Sequence, residues 1–155
     1  MRIYLNTNVF GRPFDDMSQR RILEEALASI NIFLFSVAGL VSVVVSDVLL
    51  AELSLIEDKS RRESTESVIT GLSNIPVKIN DKIINLATDI MTTCGIKDFM
   101  DCAHLATAAS GKCAYFITCD DELIENRSRI EAMLIDNGHP IKIRNPKEFV
   151  EEVRI

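Results

Sequence analysis

The chain contains a β-branched run from Val41 to Val45, and a helix signal follows this run at once. Such a run is typical of a strand buried on both faces of a parallel sheet. Ser46 and Asp47 then provide an N-cap signal before an apolar-periodic helix from Val48 to Ile56. Because helices must cover both faces of such a strand, the run predicts an α/β fold with a central, mostly parallel sheet.

A membrane span is the alternative interpretation of the same region. Residues Ile32 to Leu50 carry a single charge, Asp47, and approach the length of about 20 residues that crosses a bilayer. The polar or small residues Ser36, Gly39 and Ser42 interrupt the segment, and a strand followed by a helix explains the pattern better. We therefore expect no membrane association. Since the first residues predict a strand and lack the pattern of a secretory signal, we expect a cytoplasmic protein.

The rest of the chain repeats the alternation of short apolar runs with helical periodicity. Strands are predicted at Arg2–Leu5, Val41–Val45, Val77–Ile79, Tyr115–Thr118 and Ile141–Ile143. Helices are predicted at Ser18–Ile30, Val48–Ile56, Lys59–Leu72, Asp81–Thr93 and Asp98–Ser110, with a further short helix capped by Asp121. The 155 residues are 47% hydrophobic and contain no linker or repeat, so we expect one domain spanning residues 1–155.

Charge and cysteine content exclude several classes of protein. The formal net charge of −6, from 17 basic and 23 acidic residues, excludes a broadly basic protein that coats nucleic acid. It allows a protein whose acidic groups surround metal ions. Cys94, Cys102, Cys113 and Cys119 lack the close pairing of a zinc site or a disulfide framework, so we expect reduced, mostly buried thiols.

Oxygen-bearing side chains follow the predicted strands where open α/β sheets place their ligands. Asn6 follows the first strand, Glu52 lies in the helix after the second, and Asp120 follows the fourth. Asp98 and Asp101 share one face at the head of another helix. Carboxylates that converge repel one another unless a cation joins them, and oxygen ligands suit Mg²⁺ or Mn²⁺. The pattern therefore predicts metal-assisted hydrolysis of phosphodiesters.

Four segments of the chain match, in order, those of a known family: residues 3–10, 45–53, 97–106 and 117–124. With them the chain resembles the PIN-domain ribonucleases, especially the toxins of VapBC-type toxin–antitoxin pairs. The resemblance implies a three-layer α/β/α fold and an endoribonuclease that depends on Mg²⁺ or Mn²⁺. It also implies RNA as substrate, an antitoxin protein as partner, and a homodimer.

Three acidic positions of the family carry over to this sequence: Glu52, Asp101 and Asp120. The first does not, because Asn6 stands where the family has aspartate. An amide can offer a carbonyl oxygen to a metal but no charge, so we expect weaker metal binding and reduced or absent catalysis. The substitution fits either a natural member that binds without cutting or a change introduced to disable a toxic nuclease. The alternative function is thus a non-catalytic module that binds RNA or an antitoxin-like partner.

Neighbouring polar residues have more ordinary interpretations. We expect Asp98 and Asp121 mainly to cap helices, with a reserve role as ligands, and Thr118 to hold Asp120 or a water through its hydroxyl. His104, one turn beyond Asp101, is expected to be packed and hydrogen-bonded in the core. Because acidic residues interleave with them, a group of basic side chains is expected on solvated faces rather than on RNA. That group is Arg12, Arg20, Arg21, Lys59, Arg61 and Arg62.

Overall fold

A computed structural model of the chain describes residues 1–72 and 74–153. Within these residues five strands form one parallel sheet in the order β3-β2-β1-β4-β5. The strands are β1 (Arg2–Leu5), β2 (Ser42–Ser46), β3 (Asn74–Val77), β4 (Tyr115–Ile117) and β5 (Lys142–Arg144). The predicted α/β fold with a parallel sheet is confirmed.

Helices connect the strands and cover both faces of the sheet. Between β1 and β2 lie α1 (Thr7–Gly11), a 3₁₀ turn (Arg12–Phe14) and α2 (Arg20–Val37). Between β2 and β4 lie α3 (Asp47–Ser54), α4 (Lys59–Gly71), α5 (Asp81–Cys94) and α6 (Phe99–Ser110). After β4 come α7 (Asp121–Glu125), α8 (Arg127–Asp136) and α9 (Pro146–Val153).

The core has two halves because successive side chains of a strand point to opposite faces. In β1, Ile3 and Leu5 pack into one apolar cluster and Tyr4 into the other. In β2, Val43 and Val44 divide in the same way, and Val44 lies in register with Tyr4. Residues of α5, α6 and α8 join the cluster around Tyr4, while residues of α1, α2, α4 and α9 join the other. This is the three-layer α/β/α architecture.

The structure corrects two predicted elements. The predicted strand Val77–Ile79 begins three residues and ends two residues too late, because β3 spans Asn74–Val77 and includes Pro76. Since β3 is an edge strand, proline's missing N–H is tolerated there. The first long helix continues to Val37 rather than ending near Ile30. The sequence patterns also did not predict helices α1, α8 and α9.

The long apolar stretch is now explained without a bilayer. Residues 32–50 form the end of α2, a turn, strand β2 and the start of α3. Among the described residues, no helix combines the length and apolar character needed to cross a membrane. All four cysteines are buried with free thiols.

Candidate functional site

The candidate site lies where the strand order changes direction, between β1 and β4. Open α/β sheets bind ligands beyond the carboxyl ends of their strands at such a point. Asn6 directly follows β1, and Thr118 and Asp120 follow β4. Helix α6 brings its first turn, with Asp101, to the same place, as the contact between Asp101 and Asn6 shows.

Asn6 is almost fully buried and connects three parts of the site. Its Oδ1 accepts the backbone N–H of Thr7 at 2.8 Å and thereby caps α1. Its Nδ2 donates to Asp101 Oδ1 at 3.4 Å and to Thr118 Oγ1 at 3.2 Å. The side chain therefore presents a hydrogen-bond donor to Asp101, while its carbonyl oxygen is engaged with the backbone.

Asp120 is held at the start of α7. Its Oδ1 accepts the N–H of Leu123 at 2.9 Å, and its own N–H donates to Thr118 Oγ1 at 3.1 Å. Asn8 also donates through Nδ2 to Thr118 Oγ1 at 3.3 Å, and its Oδ1 accepts the N–H of Cys119 at 3.0 Å. Thr118 is thus the shared acceptor that ties the segments after β1 and β4 together.

The prediction that Asp121 caps the helix after β4 is wrong, because Asp120 is the N-cap. Asp121 is the first helical residue, and its carboxylate forms two hydrogen bonds with the guanidinium of Arg21, at 2.5 and 3.1 Å. This pair lowers the pKa of Asp121. Asp98 caps α6 as predicted by accepting the N–H of Met100 at 2.8 Å.

Asp101 has the most perturbed carboxylate of the site. Burial is the largest cause and raises its pKa to about 6, and the nearby charges of Asp120 and Asp98 add to the effect. The hydrogen bond from Asn6 only partly offsets this rise. Like charges in a low-dielectric site disfavour ionisation. Asp101 is therefore a carboxylate that a cation in the same space would stabilise in its charged form.

The carboxylate of Glu52 bonds a histidine, whereas that of Asp101 bonds Asn6. One carboxylate oxygen makes a short hydrogen bond with Nε2 of His104. Although burial alone would raise the pKa of Glu52, the hydrogen bond and charge of His104 outweigh it, so this pKa is lowered. His104 is fully buried, as predicted, but its bond to Glu52 was not anticipated. Its spacing of three residues from Asp101 on α6, which places both on one helix face, was the available signal.

These donors suit a divalent cation only in part. Asp101 and Asp120 supply the charged oxygens that Mg²⁺ or Mn²⁺ prefers, and their mutual repulsion is the feature that a cation would relieve. Asn6 does not fit as a ligand, since its amide nitrogen faces Asp101. Across residues 1–72 and 74–153, no three His, Cys, Asp or Glu side chains are arranged to hold a metal ion.

Comparison with known proteins identifies the fold family. The sequence profile described as "PIN domain" matches residues 3–128 of this chain. The chain belongs to the PIN domain family. A search of curated protein sequences finds no match.

Several solved structures share this fold across nearly the whole chain. One is VapBC2 from Rickettsia felis bound to a DNA fragment from their promoter, with a TM-score of 0.60 and 12% identity over 94% of this chain and 98% of that one. Another is FitAcB from Neisseria gonorrhoeae, with a TM-score of 0.57 and 14% identity over 93% and 97% of the two chains. At these identities the likeness establishes the fold alone.

In this PIN domain most of the six basic side chains that were expected on solvated faces form ion pairs within the protein. Arg12 pairs with Asp15 and Glu25, and Arg61 also pairs with Asp15. The other ion pairs of the group are Arg20 with Glu24, Arg21 with Glu25 and Asp121, and Lys59 with Glu63. Arg62 donates to the carbonyl of Ile56. The prediction that this group does not form a free basic rim is consistent with these pairs.

Proposed function

We propose that this PIN domain is a metal-dependent endoribonuclease of the toxin type whose activity is weakened or absent because Asn6 replaces the first acidic residue. The observation that carries the proposal is the proximity of two half-buried carboxylates, Asp101 and Asp120: partial burial raises the pKa of Asp101 to about 6, and the charge of Asp120 adds to the effect. Perturbed carboxylates at the ligand edge of an α/β sheet are typical of functional sites. Membership in the PIN family supports a nuclease.

Asp101 and Asp120 are the residues that would hold a divalent cation, either Mg²⁺ or Mn²⁺, with Glu52 as the further acidic group. When bound, such an ion neutralises charge that develops on a phosphodiester and makes water more acidic. The chain's own contribution is to hold the carboxylates in place. Thr118 fixes the backbone of Asp120, and Asn6 donates to Asp101.

Asn6 is the reason to expect low activity. A carboxylate at this position would add a negative charge beside Asp101, whereas the amide contributes a donor hydrogen. The site therefore has one charge fewer with which to attract a cation. Its Nδ2 also stabilises Asp101 in the absence of metal, and this bond would compete with a cation for the same oxygen.

We further propose a protein partner of the antitoxin type and a homodimer. The support is a set of exposed apolar side chains on two helices, which soluble proteins usually bury in interfaces when they are contiguous. On α2 they follow helical spacing, and on α5 Ile84 is 44% exposed. The α2 set is Leu23, Leu27, Ile30, Leu34 and Val37. Light scattering of the purified chain tests the dimer, since a monomeric mass at micromolar concentration contradicts it.

The direct test is cleavage of a mixed single-stranded RNA panel with Mn²⁺ or Mg²⁺. The native chain is compared with Asn6→Asp and with Asn6→Asp/Asp101→Asn. We expect Asn6→Asp to cut, the native chain to cut more slowly or not at all, and the double variant and EDTA to abolish cleavage. If Asn6→Asp is inert while both proteins still bind RNA or a partner, the non-catalytic binding module replaces the enzyme. The engaged oxygens of Asn6 and Glu52 are the observations that favour this alternative.

A further inference from the structure

A cavity of about 610 Å³ opens at the edge of the sheet opposite the candidate site. It lies just before β4 and β5, which are parallel, whereas Asn6 and Asp120 follow the carboxyl ends of β1 and β4. Its volume is within the range of about 300 to 1,000 Å³ that small-molecule sites in proteins occupy. The residues that line it are Ala109, Ser110, Lys112, Cys113, Ala114, Gly138, His139, Pro140 and Ile141.

The lining of this cavity is basic, although the chain is acidic. Lys112 and His139 line it and no Asp or Glu does, in a chain whose formal net charge is −6. Lys112 is exposed, and no ion pair in the part of the chain that the structure describes includes it or His139. The charge of Lys112 is therefore available to an anion from solvent.

Two neighbouring groups keep the cavity electropositive. Arg2 donates through Nη1 to the carbonyl of Gly111 at 3.3 Å, which places a guanidinium beside the turn that carries Lys112. Burial raises the pKa of Cys113 to about 12, and the charge of Arg2 only partly offsets this rise. The thiol is therefore uncharged at neutral pH and cancels none of the positive charge.

Lys112 has a backbone conformation that favours glycine. With φ at 53°, it is the only residue other than glycine in the left-handed region within residues 1–72 and 74–153. Gly111 precedes it with φ at −72°, at a position where a side chain would meet Val44. Glycine at position 112 would adopt the turn at a lower steric cost, so the turn itself does not explain the lysine. Residues in such conformations cluster at functional sites.

A second cavity of about 390 Å³ adjoins the first, and both are lined by Ser110 and His139. One basic and one acidic residue, Lys82 and Asp89, also line this second cavity, together with Leu86. Because those two charges balance, the excess of positive charge belongs to the first cavity. An anionic group is therefore favoured beside Lys112, and an apolar extension fits the adjoining space.

We propose that the first cavity binds a small organic anion with an apolar body, such as an aromatic carboxylate. Lys112 supplies the positive charge for the anionic group, and the imidazole of His139 offers a further hydrogen-bonding group. Ala114, Pro140 and Ile141 contribute apolar wall for the body of the molecule. This site is independent of the proposed nuclease, because it lies at the other edge of the sheet.

The probe is naphthalene-2-carboxylate, added to the ¹⁵N-labelled chain and followed by ¹H–¹⁵N correlation NMR. We expect saturable shifts of the amide signals that surround Lys112 and His139. Naphthalene-2-carboxamide has the same ring system without the charge. It should bind about 10-fold more weakly, because hydrogen bonds between charged groups are stronger than those of a neutral amide.

Lys112→Gly is the decisive variant, because glycine adopts the left-handed backbone readily and the fold should be retained when the cation is lost. It should weaken binding of the carboxylate about 10-fold and leave binding of the carboxamide unchanged. Lys78→Gly is the matched control, since it makes the same change at an exposed loop residue outside the cavity, and it should have no effect. Ser110→Trp fills the region between the two cavities and should abolish binding of both compounds.

The inference is overturned if millimolar naphthalene-2-carboxylate produces no saturable shifts at these amides, or if the carboxylate and the carboxamide bind equally well. Equal losses in Lys112→Gly and Lys78→Gly would also overturn it, as would shifts confined to the exposed apolar face of α2. If thermal unfolding shows that Ser110→Trp does not fold, the comparison of the two glycine variants decides alone. The proposed nuclease is tested separately by RNA cleavage, so neither result depends on the other.

Discussion

The substitution Asp101→Asn should stabilise the metal-free protein at neutral and alkaline pH. Asparagine has the shape of aspartate and retains an Oδ1 that can accept the hydrogen bond from Asn6. What it removes is a carboxylate whose ionisation is opposed by burial and by the charges of Asp120 and Asp98. The variant therefore isolates the cost of placing this charge in the folded state.

The magnitude follows from the pKa of Asp101, which burial raises from 3.8 to about 6. Each tenfold change in proton affinity corresponds to about 1.4 kcal/mol, so the ionised group costs at most about 3 kcal/mol. Because the side chain is only partly buried, solvent screening reduces this value. We expect a gain of about 1 to 2 kcal/mol for Asp101→Asn at pH 8.

The sign of the pH dependence is set by the raised pKa. The folded protein holds the Asp101 proton more tightly than the unfolded chain does. Stability from this group is therefore fully present below about pH 3.8 and is lost as the pH rises through about 6. The difference between Asp101→Asn and the native chain should consequently be largest at pH 8 and small near pH 4.

Urea unfolding in EDTA at several pH values measures this difference. Asp58→Asn is the control, because it removes the same charge at the exposed N-cap of α4, where asparagine caps about as well as aspartate. The control should change the free energy of unfolding by less than about 0.5 kcal/mol. If Asp101→Asn is no more stable than the native chain at pH 8, the argument from burial and like charges is refuted.

Three further predictions concern the scaffold, and urea unfolding measures each of them. Gly111→Ala should cost about 1 to 3 kcal/mol, since the new methyl would lie 3.0 Å from Val44 Cγ2; Gly71→Ala, which meets nothing within 4 Å, is the control, and equal effects would contradict the steric explanation. Glu152→Gln should cost about 1 kcal/mol or less at pH 7. Hydrogen bonds from Lys142 and Arg144 lower the pKa of Glu152 to about 2. The stability that the ionised carboxylate contributes is therefore present above about pH 4.5 and is lost as the pH falls towards 2. A difference in unfolding free energy between variant and native chain that grows on acidification would contradict this assignment. Asp58→Ala should cost about 0.5 to 2 kcal/mol by removing the acceptor for a backbone N–H of α4, and an unchanged midpoint would show that the cap contributes nothing.

Local patterns of the sequence were sufficient for much of the fold. The β-branched run before Ser46 predicted a buried strand followed by a capped helix, and Asp98 predicted the start of α6. These features depend on burial and backbone hydrogen bonding within a few residues, so composition and spacing record them. Elements with mixed patterns were harder to predict. Strand β3 contains Pro76, and only its position at the edge of the sheet makes that residue acceptable.

The candidate site, like the fold, could be predicted from the sequence only in part. Strand and helix patterns alone predicted that oxygen-bearing side chains follow β1 and β4 and begin α6, and these side chains meet because parallel strands end at one edge of the sheet. The hydrogen-bond partners of those side chains depend on the packing of the whole domain. Asn6 directs its nitrogen to Asp101, and Glu52 bonds His104, 52 residues away in the chain. Such choices depend on which distant groups the packing brings within hydrogen-bonding distance of each other, and local periodicity carries no record of them.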